Sequence, residues 1–426
     1  MKRYSDVVEM LTPTELILRG LKNASYLTIG HFLSLAISFI GFIYIARLLG
    51  PSDYGIYVSV GAFVGLFELI AFTGINKVVL REGAKNLSDM SGYLEKTTGI
   101  RNLFAFIAIN VCVIGSLFTP YSMQVKLYIT LFSFNLIYQS FHSFISTVYK
   151  AAEKMQFVAI LEIFNRILFV SLSIAFLYMG FGLLSLFLIV LFSNFSTLIL
   201  NFKLSKKFLI FKFWNKIKWD KIILKSALIF SILSFTVILS TKIDLVMISW
   251  LRSSKDVGIY GVAFQITQVG EVTRNILATA FFPIFVKSFH KNIIRWKKLL
   301  RYAFFMGLGL LAIATIVSLF SEQVITSLFG EKYFESGTIL AVLVFYLAIS
   351  FFSIPFTNAL QATYNESKLL KICWIAPSLN IILNYLFLIK FGLIGIAYST
   401  LVVTVVGVTL YVLLTWRVLK EQNRII

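Results

Sequence analysis

Seven ionisable residues stand inside stretches that are otherwise apolar: Glu68, Glu162, Arg166, Lys242, Asp244, Glu271 and Arg274. An ionised side chain at mid-bilayer costs at least ~2.5 kcal/mol on insertion scales, so each should face a wet cavity, a cargo or a partner. Glu162 and Arg166 are four residues apart and Glu271 and Arg274 three, spacings that put each pair on one helix face and predict two ion pairs. Lys242 and Asp244, two apart, point about 200° from one another around a helix and must meet different surroundings. Arg166, Lys242 and Arg274 suit a phosphate or pyrophosphate, arginine through bidentate contact. Arg47, at the end of the first apolar run, is grouped with them as a headgroup cavity. The acids Glu68, Glu162, Asp244 and Glu271 form a second set that could carry a coupling proton or sodium ion. No other cofactor and no metal centre is expected, because Cys112 and Cys373 both lie in apolar runs as ordinary buried thiols. His142 alone is a poor proton relay.

The elements that must position these groups are membrane helices. Of 426 residues 58% are hydrophobic and 14% charged, a balance for which lipid is the natural solvent. Apolar runs near the ~20 residues needed to cross the hydrocarbon recur along the chain. They read as twelve spans: 27–49, 55–75, 98–118, 125–147, 157–179, 181–202, 227–250, 258–285, 300–320, 337–360, 369–389 and 393–415. Only Gly180 and Gly182 separate the fifth from the sixth. A net charge of +20 would suggest nucleic acid, but its distribution excludes that reading. On this map 30 of the 39 Lys and Arg fall in the termini and the loops after even-numbered spans, and six fall in the other loops. That asymmetry predicts a multi-pass protein of the cytoplasmic membrane with both termini in the cytoplasm.

The spans group into a cytoplasmic leader (1–24), a six-helix bundle (25–202), a basic linker (203–226), a second six-helix bundle (227–415) and a tail (416–426). Thr12-Pro13-Thr14-Glu15 reads as a capping box opening a short amphipathic helix through Lys22. The linker carries eight lysines among aromatic residues, as an interfacial or topology-setting segment would. The halves repeat at an offset of 203 residues: Asp53-Tyr54-Gly55-Ile56-Tyr57 matches Asp256-Val257-Gly258-Ile259-Tyr260, and Glu68 falls on Glu271. Arg101 and Phe104 echo Arg301 and Phe304 with a small slip. An even number of spans per half gives both the same orientation. The expected fold is therefore all-α and polytopic, two parallel six-helix bundles about a pseudo-two-fold axis along the membrane normal, with a cleft as substrate path. Asn110, Asn135, Gln139, Asn194, Gln265, Gln268, Asn358, Asn380 and Asn384 are expected mainly to hydrogen-bond between helices.

No G-x-x-x-x-G-K-[ST] loop is present, which argues against an ATP-driven pump, and no soluble catalytic domain is evident. The stretch Ile45-Ala46-Arg47-Leu48-Leu49-Gly50-Pro51-Ser52-Asp53-Tyr54-Gly55-Ile56-Tyr57 resembles the first-loop signature of the polysaccharide-exporter, Wzx-type flippases of the multidrug/oligosaccharidyl-lipid/polysaccharide (MOP) exporter superfamily. Tyr149-Lys150-Ala151-Ala152-Glu153-Lys154-Met155 resembles their turn after the fourth span, and Asp244 before Gly258-Ile259-Tyr260 resembles the start of their second half. Ser253-Ser254 departs from the repeat of Gly50-Pro51. The resemblance implies a non-enzymatic flippase that moves a polyprenyl-(pyro)phosphate-linked oligosaccharide to the outer leaflet by alternating access. Its expected partners are membrane lipid, the lipid-linked oligosaccharide, and a polysaccharide polymerase or glycosyltransferases, with the protein itself a monomer and no nucleic acid bound. Two rivals remain: a cation-coupled multidrug-type exporter of the same superfamily, and a membrane polysaccharide polymerase or ligase using outer acids such as Asp53, Asp256 or Glu322.

Overall fold

The computed structural model describes residues 13–72, 74–76, 79, 90–205, 221–291, 293–362 and 366–421. Thr12 of the capping box and the middle of the basic linker, 206–220, lie outside the described residues. Among those described, the regular structure is helical. It divides into two compact units: unit 1, Met1–Leu49 with Val60–Ile238, and unit 2, Gly50–Ser59 with Leu239–Ile426.

Helix α1 (Pro13–Leu66) runs from the first described residue into the first apolar stretch without a break, so its described part is not a separate leader helix. No proline interrupts it before Pro51. There the chain bends, because Gly50 takes a left-handed φ of 72° that a β-carbon would disfavour. Unit 1 continues with α2 (Glu68–Phe72), α3 (Met90–Leu117), α4 (Met123–Ser133), α5 (Asn135–Ala151), α6 (Met155–Tyr178) and α7 (Gly182–Ser205). The fourth expected span is thus two helices, parted by a single turn at Phe134 whose N–H bonds back to the Leu131 carbonyl. Gly180 and Gly182, at φ 84° and 66°, do make the turn between α6 and α7. The α5 to α6 turn closes with bonds from Lys154 N–H to Tyr149 O and Glu153 N–H to Lys150 O. Glu153 there holds the left-handed position that glycine usually fills, at φ 54°. The unit packs on Ile75, Leu94, Phe144, Tyr149 and Leu161, and α1 lies on α6 where Gly30 faces Ala159 and Gly41 faces Val170.

Unit 2 takes the end of α8 (Lys221–Leu251) from Leu239 onward, then α9 (Ser254–Lys291), α10 (Ile293–Leu319), α11 (Ser321–Phe329), a short 3-10 turn (Glu331–Tyr333), α12 (Glu335–Phe351), α13 (Ile354–Ala362), α14 (Glu366–Phe391) and α15 (Leu393–Glu421). α12 and α13 occupy one expected span but bend by 40° at Phe352–Ser353. Where unit 2 departs from the Gly-Pro pattern, a capping exchange replaces it. The Ser253 hydroxyl accepts from Asp256 N–H, while Asp256 Oδ2 accepts from the Ser253 N–H at 3.2 Å and hydroxyl at 3.0 Å. Both chemistries satisfy orphan donors at a helix start.

Among the described residues, eight helices are long and apolar enough to cross a membrane, and the bent pair is a ninth if it forms one span. The other helices are too short or too polar for the same criterion. Large apolar side chains stand exposed along these helices, among them Phe106, Ile167, Phe195, Phe305 and Leu413, as lipid-facing residues do. The chain is therefore a multi-pass membrane protein.

Within unit 2 the repeated glycines meet. A β-carbon on Gly55 would run into the Ser254 carbonyl, and one on Gly258 into the Pro51 carbonyl, so each helix start rests on the backbone of the other. Gly55→Leu or Gly258→Leu should therefore lower stability by about 1–3 kcal/mol or more, seen as a fall of several degrees in the thermal midpoint of the purified protein. Gly61→Ala, where nothing stands within 4 Å, should leave the midpoint unchanged or slightly raised.

Candidate functional site

Among the described residues, the most deeply buried acid of unit 2 is Asp244, on α8 and 1% exposed. Its Oδ1 accepts from the amide nitrogens of Asn380 at 2.9 Å and Asn384 at 2.8 Å, one turn apart on α14. Its Oδ2 accepts from the Tyr260 hydroxyl of α9 at 2.9 Å and the Thr400 hydroxyl of α15 at 3.0 Å. Three helices thus converge on one carboxylate carried by a fourth. Every donor is neutral, and no Lys or Arg is within ion-pair distance of the acid among the described residues. Burying a charge in this way is costly unless a proton or cation joins it.

Two further features bear on what could join it. Asn380 is oriented by Ser399, which donates to its Oδ1 at 3.2 Å. The Oδ1 of Asn384 is buried with no hydrogen-bond partner among the described residues. Thr400 has a single hydroxyl proton and two acceptors in reach, Asp244 and the Ile396 carbonyl at 3.0 Å. Rotation of the Asn384 amide would turn a donor away and bring its orphan oxygen in. Carboxylate, amide and hydroxyl oxygens would then surround one point, the oxygen-rich surroundings that a hard cation takes. In the first half the residue in register with Asp244 is Gly41, packed against Val170. The polar cluster there is neutral: Asn194 donates to Asn135 at 2.6 Å, and Asn165 to Asn194 and Thr197 at 3.0 Å each.

A second network in unit 2 surrounds the predicted pair on α9. Arg274 Nε meets Glu271 Oε2 at 2.7 Å, as the i,i+3 spacing predicts. Tyr346 of α12 donates to Glu271 Oε1 at 2.8 Å, and Arg274 reaches Ser353 at 3.2 Å and Asn275 at 3.3 Å. Both members are only partly exposed, and Ser353 lies in the α12–α13 break.

The remaining expected residues disperse. Glu162 and Arg166 on α6 form no ion pair among the described residues, which corrects the expectation from their spacing; both sit beside Tyr138, and Arg166 is exposed. No third group among the described residues fixes either head, so spacing alone does not bring the two together. Lys242 is half-buried and makes no hydrogen bond or ion pair among the described residues. Glu68 opens α2, and Arg47 is exposed near the Gly50 bend. Sequence reasoning overlooked Arg101, counting it with loop charges. It is 1% exposed, with its guanidinium 3.8 Å from the Phe144 ring centre and hydrogen-bonded to Ser140. It also left Tyr260, Thr400, Tyr346 and Ser353 unassigned. The Asn380/Asn384 spacing was the one visible hint, a pair of amides on one helix face.

A model of the family described as polysaccharide biosynthesis protein matches residues 20–289. The chain belongs to the polysaccharide biosynthesis protein family. A second model, MatE, matches residues 228–386, which contain Asp244 and the Glu271–Arg274 network. The chain is 23% identical over 389 residues to the capsular polysaccharide biosynthesis protein CapF of Staphylococcus aureus, covering 89% of this chain and 94% of that one. Its fold is similar to the lipid II flippase MurJ in an inward closed conformation, with TM-score 0.74, 13% identity and coverage of 91% and 86%. It is also similar to a multidrug resistance MATE family transporter of the MOP superfamily in an inward-facing conformation, with TM-score 0.73, 17% identity and coverage of 91% and 96%. This member of the polysaccharide biosynthesis protein family therefore has the fold of these transporters and flippases. Removing its central carboxylate should be costly: Asp244→Ala leaves four donors without their acceptor, at about 1–3 kcal/mol for each that stays unsatisfied. Its thermal midpoint should fall well below that of Glu162→Ala; equal midpoints would contradict the network's role.

Proposed function

We propose that this protein is a flippase that carries a polyprenyl-(pyro)phosphate-linked oligosaccharide from the cytoplasmic to the outer leaflet for cell-surface polysaccharide synthesis. The observation that carries this reading is the polysaccharide biosynthesis match over residues 20–289. The capsular relative and the flippase-like fold support it. In this reading twelve spans form two like-oriented six-helix halves about a pseudo-two-fold axis along the membrane normal. Both termini lie in the cytoplasm, the cell membrane is the site of action, and the protein works as a monomer beside a polymerase or glycosyltransferases.

Lys242 and Arg274 are the cations of unit 2 that would meet the substrate's phosphates, arginine through its planar fork and lysine as a point charge. Glu271 and Tyr346 orient Arg274 while it waits. Asp244 would take the coupling proton or sodium ion, since a carboxylate ringed by neutral groups gains most from either. Loading it relieves a buried charge, and the four donors from three helices would then rearrange around it. Differential affinity of the cation for two arrangements of those helices is what can drive alternating access.

The second reading, a cation-coupled multidrug-type exporter, is favoured by the MatE match over residues 228–386. Deletion separates the two. Loss of the protein should make lipid-linked oligosaccharide accumulate on the cytoplasmic face, with drug susceptibility unchanged; drug sensitisation without accumulation would select the exporter. Lys242→Ala and Arg274→Ala should reduce flipping about ten-fold or more while the protein still inserts and folds, and Glu271→Gln, which keeps the arginine, should retain more activity. Asp244→Asn should remove the dependence of transport on the proton or sodium gradient. Unimpaired flipping in both cation variants would eliminate the phosphate role.

A further inference from the structure

Unit 2 contains a cavity of about 600 Å³ bordered by α10, α12, α13 and α15. Apart from Arg301 its wall is apolar, including Phe304 of α10, Phe352, Pro355 and Phe356 at the α12–α13 bend, and Val408 of α15. The bend creates the space. α12 stops at Phe351, the axis turns by 40°, and Pro355 cannot donate a backbone bond to straighten it. Gly307 then admits the Phe352 ring, which a β-carbon would strike, and Phe304 meets that ring edge to face at 6.1 Å. The resulting volume is several times the ~150 Å³ of apolar cavities that stay dry and take small apolar ligands.

The mouth differs in chemistry from the wall. Arg301 is exposed and makes no hydrogen bond or ion pair among the described residues. Phe304, 53% exposed, shows that the cavity opens at the surface of α10, a helix lined with lipid-facing side chains. In unit 1 the echo of Arg301 is Arg101, where Phe144 and Ser140 close over the guanidinium. The second unit leaves the corresponding arginine open, beside an apolar sleeve. On the far side of the same bend, Ser353 accepts from Arg274.

We infer that this cavity holds the polyprenyl chain of the lipid-linked substrate as it docks, with the phosphate at its head on Arg301 before it reaches Lys242 and Arg274. The inference rests on the flippase reading for the identity of the lipid. On the topology proposed above, the start of α10 and the end of α15 lie at the cytoplasmic face, where such a lipid begins its passage. An apolar sleeve with an arginine left open at one end complements a single long chain with an anionic head. The kinked segment between tail and headgroup cations then touches both ends of the cargo.

The test is retention of undecaprenyl monophosphate by the purified full chain, read by native mass spectrometry against dioleoylphosphatidylglycerol and against geranyl monophosphate. Wild type should retain the long-chain phosphate in preference to both. Val408→Trp, which fills the sleeve, and Arg301→Ala, which discharges its mouth, should each cut retention about ten-fold. Val402→Trp, on α15 but outside the wall, should not. Should Val408→Trp fail to fold, Val405→Trp at the rim takes its place. Wild-type retention by all sleeve and mouth variants, no retention by wild type, or equal retention of dioleoylphosphatidylglycerol with the same sensitivities would each overturn the inference. Sleeve-dependent retention by a protein whose deletion leaves lipid-linked oligosaccharide export intact would instead remove the flippase reading and leave the lipid site standing.

Discussion

The carboxylate of Asp244, 1% exposed, joins α8 to α9, α14 and α15 through four hydrogen bonds. In hydrocarbon a polar group is satisfied by its own protein or not at all. One acid has therefore recruited a tyrosine, two asparagines and a threonine from helices far apart in sequence, and the packing of unit 2 must keep all four within 3.0 Å. Because none of the four is a cation, the site is balanced in geometry but not in charge. That imbalance is what makes the network a candidate for function as well as for assembly.

The internal repeat shows how one design has been put to two uses. Glycine at 55 and 258 is kept in both halves because the opposing carbonyls leave no room for a β-carbon. Elsewhere the halves diverge. Gly50-Pro51 begins one helix by backbone geometry, and Ser253 with Asp256 begins the other by side-chain capping. Gly41 occupies the register of Asp244, and a closed Arg101 that of an open Arg301. Unit 2 thus holds Asp244 and the Glu271–Arg274 pair in hydrogen-bonded networks, while unit 1 holds a cluster of neutral amides and a stacked guanidinium.

Two intrahelical pairs of similar spacing behave differently, and their neighbours explain why. Glu271 and Arg274 are gripped at both heads by Tyr346 and Ser353, so the pair loses little further entropy by forming. Glu162 and Arg166 have no such support from the described residues, and Arg166 turns outward. Spacing permits an ion pair, but a third and fourth group decide whether it is worth holding.

The sequence alone pointed to a multi-pass helical membrane protein and showed its internal repeat. Apolar runs of membrane length, charge asymmetry and a two-fold signature are properties of order along the chain and need no coordinates. Gly180 with Gly182 as a turn and Glu271 with Arg274 as a pair were legible for the same reason, since each depends on residues a few positions apart. Tertiary structure decided what lies far apart in sequence. It gathered Tyr260, Asn380, Asn384 and Thr400 around Asp244, buried Arg101 that had read as a loop charge, and broke two expected spans at Phe134 and Phe352. Such contacts depend on which faces of distant helices are brought together, and the periodicity of one helix does not encode the identity of its neighbour.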